Sequence, residues 1–99
     1  MLHTIANPRL EVVVSETGAE LHSIKFGGEE RLWQADPAIW GKHAPVLFPF
    51  IARLRDGRYE LDGRSISIPI HGFCRTRPFR CDAHDGTRVV FSTEHDSET

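Results

Sequence analysis

The chain has 99 residues, is 39% hydrophobic and 26% charged, and carries a formal net charge of −2. That length makes one domain at most, and the balance of charge leaves no electrostatic footprint for nucleic acid. No run of roughly 18 apolar residues is present for a membrane helix, and MLHTIANPRL lacks the charged-then-apolar order of a signal peptide; two cysteines without an export signal point to reduced thiols in the cytoplasm.

Residues 10–14 (LEVVV) are short and β-branched and predict a strand. A turn follows at 15–18, and residues 19–26 alternate well enough for a second strand. Gly27 and Gly28 break the chain. Residues 31–34, carrying Trp33, fit a third, short strand. Asp36 as cap and Pro37 at the first position predict one helical turn, stopped by Gly41. Pro45 and Pro49 bracket Val46, Leu47 and Phe48, so this run is expected to be extended and buried, bending at Pro49, and not a central strand. The clearest local signal is a hairpin: residues 58–61 and 64–68 flank Asp62-Gly63, a pair that suits the positive-φ turn matching strand twist. A second pair, 79–83 and 87–93, is joined across 84–86. The polar end, 94–99, is expected to fray.

Several short strands with turns between them predict an all-β fold, an antiparallel β-sheet or sandwich. If they form one layer, its apolar face is bare and needs a cover, either a second copy or a completing chain. The expected state is therefore oligomeric.

Three constellations could carry chemistry. His71 stands before Gly72, which lets backbone or ligand approach closely; the alternative is a turn histidine packed on Phe73. Arg53 and Arg55 follow the apolar run, and a guanidinium fork suits hydroxyls, carboxylates or phosphates; Arg75 and Arg77 add charge beyond His71, with a solvated strand face as the plainer explanation. His71, Cys74, Cys81 and His84 have the donors for a zinc site. Their spacer is short, however, and strand alternation reads both cysteines as small buried hydrophobes on a sheet. Trp33 and Trp40 could stack on a sugar ring, though core is the favoured reading for at least one. Glu11, Glu16 and Glu20 read as exposed charges, and no carboxylate pair stands beside the histidine.

The order of motifs is itself informative. Gly18-Ala19-Glu20-Leu21, Leu32-Trp33-Gln34-Ala35-Asp36, Trp40-Gly41, residues 45–50 (PVLFPF), Arg53, Asp56-Gly57 and His71-Gly72-Phe73-Cys74-Arg75 occur in sequence. This pattern resembles the N-terminal third of the aldose 1-epimerase, or galactose mutarotase-like, family, in its LacX-type branch. The resemblance implies that residues 1–99 are a single N-terminal segment of a mutarotase-like β-sandwich, a partial supersandwich. It implies a hexose or hexose derivative as ligand. It also implies interconversion of α and β anomers by general acid–base ring opening, with no metal or organic cofactor. By resemblance His71 matches the family's first histidine, which polarises the sugar. Arg53 matches the substrate-contacting arginine, and Arg75 the arginine after the histidine motif. The general-acid histidine and general-base glutamate of the family have no counterpart here. Catalytic incompleteness is expected, with a non-catalytic sugar-binding module or a self-associating β module as alternatives.

Overall fold

A computed structural model describes residues 1–97. Eight strands and two 3-10 turns make up its regular structure, and no α-helix occurs among the described residues. The first four strands, β1 (Leu2–Ala6), β2 (Leu10–Ser15), β3 (Leu21–Phe26) and β4 (Glu29–Glu30), form one antiparallel sheet in chain order. Its register stacks aliphatic side chains across three strands, with the polar His3 the exception. Ile5 faces Val12, which faces Ile24; His3 faces Val14, which faces Leu21. Such cross-strand pairs of β-branched residues contribute roughly 0.2–1 kcal/mol each. The ladder shifts between Val13 and Val14, a bulge that re-aims the start of β3.

Two hairpins complete the strands. β5 (Arg58–Leu61) and β6 (Arg64–Ser67) pair Tyr59 with Ile66 across Asp62-Gly63, whose φ values of 51° and 74° are those the two-residue turn requires. β7 (Arg80–His84) and β8 (Val89–Ser92) close through Asp85, whose Oδ1 accepts from the backbone N–H groups of Thr87 and Arg88, both at 2.8 Å. The segment before β7 is tied to the four-stranded sheet. Gly18 donates to the Arg77 carbonyl at 2.7 Å, and Phe79 donates to the Glu16 carbonyl at 2.8 Å.

Several expectations need correction. Residues 31–34 do not form a strand; the short strand is β4, just before them. The Glu30 carboxylate accepts from the N–H groups of Ile24, Arg31 and Leu32 and turns the chain away from the sheet. Neither tryptophan is core: Trp33 is 40% and Trp40 49% exposed, and the Trp33 indole donates to the Trp40 carbonyl at 2.8 Å. The run 46–48 is extended but exposed in this chain, Phe48 by 55%. Glu20 is buried, not a surface charge. Cys74 is buried, but in the 3-10 turn Cys74–Thr76 and not on a sheet; Cys81 lies on β7 and is half-buried. The capped turn at Asp36 is present, with its Oδ1 accepting from Ala38 N–H at 2.9 Å.

The strands form three separate antiparallel sheets in a flat molecule that leaves much apolar surface open. The molecule measures 52 × 34 × 17 Å, with a radius of gyration of 16.1 Å; a compact chain of this length has about 13 Å. Its accessible surface is 7226 Å², against about 5,700 Å² for a compact monomer of this mass. Among the described residues only Val14, Ile68 and Cys74 are buried hydrophobes, while Phe48, Ile51, Ile39 and Leu47 lie open.

Candidate functional site

The centre of the molecule is a clasp between residues 48–52 and 71–74. Phe48 N–H donates to the His71 carbonyl at 3.2 Å, Phe73 N–H donates back to the Phe48 carbonyl at 3.0 Å, and Phe48 bridges Gly72 in parallel. The backbones approach so closely that a Cβ on Gly72 would lie 2.1 Å from the Phe48 carbonyl oxygen. Gly72 has φ +76°, and His71, unusually for a residue with a side chain, has φ +66°. A non-glycine residue in this region costs of order 1–2 kcal/mol, and such residues cluster at functional sites.

The strained backbone aims the imidazole. His71 N–H donates to the Ala52 carbonyl at 3.3 Å, and the Nδ1 of its ring hydrogen-bonds the Ile51 carbonyl. A carbonyl can only accept, so Nδ1 carries the proton and Nε2 is left as the acceptor. Arg53 follows Ala52 directly. It is exposed and makes no ion pair or hydrogen bond among the described residues, as expected of a guanidinium waiting for a ligand or for solvent.

Arg75 stands apart from this pair. It is half-buried, and its Nε is buried without a hydrogen-bond partner among the described residues. It lines a cavity of about 260 Å³ with Glu20, His22, Lys42 and Thr76. The clasp thus brings the Arg53 backbone and His71 together, while Arg75 faces another hollow. Phe48, Tyr59, Phe73 and Cys74 line a further hollow of about 330 Å³, with Glu94 and His95 at its edge. A larger one, about 410 Å³, lies along β6 beside Phe73 and Arg77. Neither contains Arg53 or His71. An uncovered sheet face dips in several places, so hollow size is a poor guide to chemistry here, and hydrogen-bonding geometry is the better one.

Burial pushes the Cys74 thiol above its usual range, with Arg77 opposing; it is an inert packing residue, not a nucleophile. The His71, Cys74, Cys81 and His84 set does not assemble. His84 instead hydrogen-bonds the Thr4 carbonyl at 2.8 Å and packs edge-on against His3. The histidines and carboxylate that do converge are Glu20, His22 and His43. Sequence reading missed them because His43 comes from a loop 21 residues beyond His22, and nothing local marks the isolated bridge between Leu21 and Ala44 that brings it in.

Comparison with known proteins fits this architecture. The sequence profile of the aldose 1-epimerase family matches residues 1–99. The chain therefore belongs to the aldose 1-epimerase family. Within it, the chain is 35% identical over 100 residues to the chromosomal LacX protein of Lactococcus lactis subsp. lactis, covering 95% of this chain and 33% of LacX. A galactose mutarotase related enzyme from Lactobacillus acidophilus superposes with a TM-score of 0.95 at 40% identity, over 99% of this chain and 33% of that one. A galactose mutarotase-like protein from Lactobacillus casei gives 0.93 at 30% identity, over 99% and 34%. The chain spans about a third of the length of these relatives. The open sheet is thus part of a galactose mutarotase-like fold.

Proposed function

We propose that residues 1–99 form one wall of a hexose pocket in an aldose 1-epimerase-like protein. Arg53 donates to sugar hydroxyls, and His71 meets a sugar oxygen through its free Nε2. Arg75 is offered as a further substrate contact by resemblance. The observation that carries the reading is the clasp: a strained histidine held by residues 51 and 52, one position before an unpaired arginine. Anomer interconversion needs a base for the anomeric hydroxyl and an acid for the ring oxygen. No carboxylate faces His71 among the hydrogen bonds of the described residues, and in this reading the wall binds and polarises while other groups supply the proton transfers. A cytoplasmic location fits the two free thiols.

Saturation-transfer NMR with D-galactose and D-glucose tests the binding. Sugar signals should appear with the native chain, and Arg53→Ala or His71→Ala should lower affinity about tenfold or more, since hydrogen bonds to charged groups are worth roughly 1.5–3 kcal/mol. Saturation transfer that is absent, or unchanged in both variants, would overturn the reading.

A second reading, a self-associating β module without sugar affinity, draws on the exposed apolar face. Patches of that kind are rare on monomers. Self-association with no sugar response would favour it.

A further inference from the structure

We infer that Glu20, His22 and His43 form a binding site for a divalent transition ion of the zinc class. The inference uses neither Arg53 nor His71 as a ligand, and shares with the sugar reading only Arg75, which lines the adjoining cavity. Glu20 directly precedes β3 and His22 is the bulged residue at its start, and their side chains meet in a hydrogen bond. The bridge between Leu21 and Ala44 lays His43 beside them. Oε1 of Glu20 is 3.0 Å from Nε2 of His22 and 3.8 Å from Nδ1 of His43, and the three donor atoms all lie within 4.8 Å of one another. Tetrahedral zinc with bonds near 2.0–2.1 Å needs donors separated by roughly 3.3 Å. The two separations to Glu20 bracket that value, and the two histidine donors lie within 4.8 Å of each other.

The metal-free arrangement joins only two of the three side chains directly. Oε1 of Glu20 is a good hydrogen-bond acceptor for His22, but at 3.8 Å it is too far to bond His43. The two imidazoles stack with centroids 4.2 Å apart and planes 19° from parallel, both turned toward a single carboxylate. The side chains of Glu20, His43 and His22 are only 12%, 18% and 29% exposed, so water screens the cluster weakly. Their donor atoms are close enough to share one cation once the stacked rings turn to aim their in-plane lone pairs at it. Two imidazoles and a carboxylate suit borderline ions of the zinc type better than calcium or magnesium. Glu20 and His22 also border the 260 Å³ cavity, which leaves an open fourth position. Lys42 and Arg75 line the same cavity; their charge opposes a cation there and favours an anionic ligand at the fourth position.

The test titrates chelator-treated native chain with Zn²⁺ alone, and in parallel with Co²⁺, following histidine ring resonances and the cobalt visible spectrum. One equivalent should saturate the site. Shifts should concentrate on His22 and His43 among the six histidines, and cobalt should give the intense bands of four-coordination. Glu20→Gln, His22→Gln and His43→Gln should each weaken binding at least tenfold, whereas His95→Gln should not. Because a variant could fail to fold, the ring shifts of the native chain decide on their own. Shifts spread over all the histidines without saturation, or no binding at millimolar ion, would overturn the proposal. So would an affinity unchanged in folded variants of the three donors.

Discussion

The backbone at His71 and Gly72 is the most constrained point of the molecule. Gly72 and Gly63 share a similar φ, +76° and +74°, but only Gly72 has backbone against its missing Cβ. Replacing each with alanine separates the two effects. Gly63→Ala should cost about 1 kcal/mol, the conformational term alone. Gly72→Ala adds overpacking and should cost ~3 kcal/mol or more, read as the difference in chemical-denaturation midpoints. Equal costs would mean that the clasp is looser than described. The two thiols should also differ. Cys81, on a hairpin, should react readily with a thiol reagent, while buried Cys74 should lag until the chain is unfolded. The His71-Gly72 motif was legible in sequence because only glycine allows so close an approach. That Nδ1 is tied up, leaving Nε2 free, was not, since the partner carbonyl lies 20 residues away.

Strands with strong local chemistry were readable, and those fixed by distant partners were not. Asp62-Gly63 specifies its turn unaided, and the valines of β2 specify a strand. β1 was missed because a polar residue, His3, takes an inward position, where Glu16 receives its Nε2 at 2.7 Å. The strand expected at 31–34 failed because pairing to β3 ends at Arg31, whose N–H reaches the Ile24 carbonyl at 2.7 Å, and the next donor, Leu32 N–H, turns to the Glu30 carboxylate. Carboxylates of this kind make the folded state sensitive to acid. The Ser23 hydroxyl, followed by backbone N–H groups, holds Glu30 below the usual range; the Ser92 hydroxyl and Arg80 do so for Asp82, and the Thr87 and Arg88 N–H groups for Asp85. Depressed folded-state values contribute stability that is complete above the unfolded value, about 4 for a carboxyl, and is lost as pH falls through the folded value. The denaturation midpoint should therefore be flat from pH 7 to about 5 and drop below about 4. Glu30→Ala should flatten that drop; an unchanged profile would show that Glu30 is not among its causes.

At the scale of the whole molecule the decisive fact is thickness. A layer 17 Å deep with Ile51 and Ile39 three-quarters exposed hides too little apolar surface to stand comfortably alone. The all-β class was legible from turn spacing, and the need for a cover followed from the number of strands. Which residues stay bare was not legible, because exposure depends on how three separate sheets are disposed, which local pattern does not encode. Sedimentation velocity at micromolar concentration should find self-association; a stable monomer would contradict it. The central claim is that these residues hold a hexose without completing the proton transfers. Exchange spectroscopy on galactose with the native chain reads binding and anomer interconversion in one sample. The account predicts sugar-dependent shifts at the His71 ring, with α and β anomers exchanging no faster than in buffer. An unmoved His71 ring, or interconversion above the buffer rate, would contradict it.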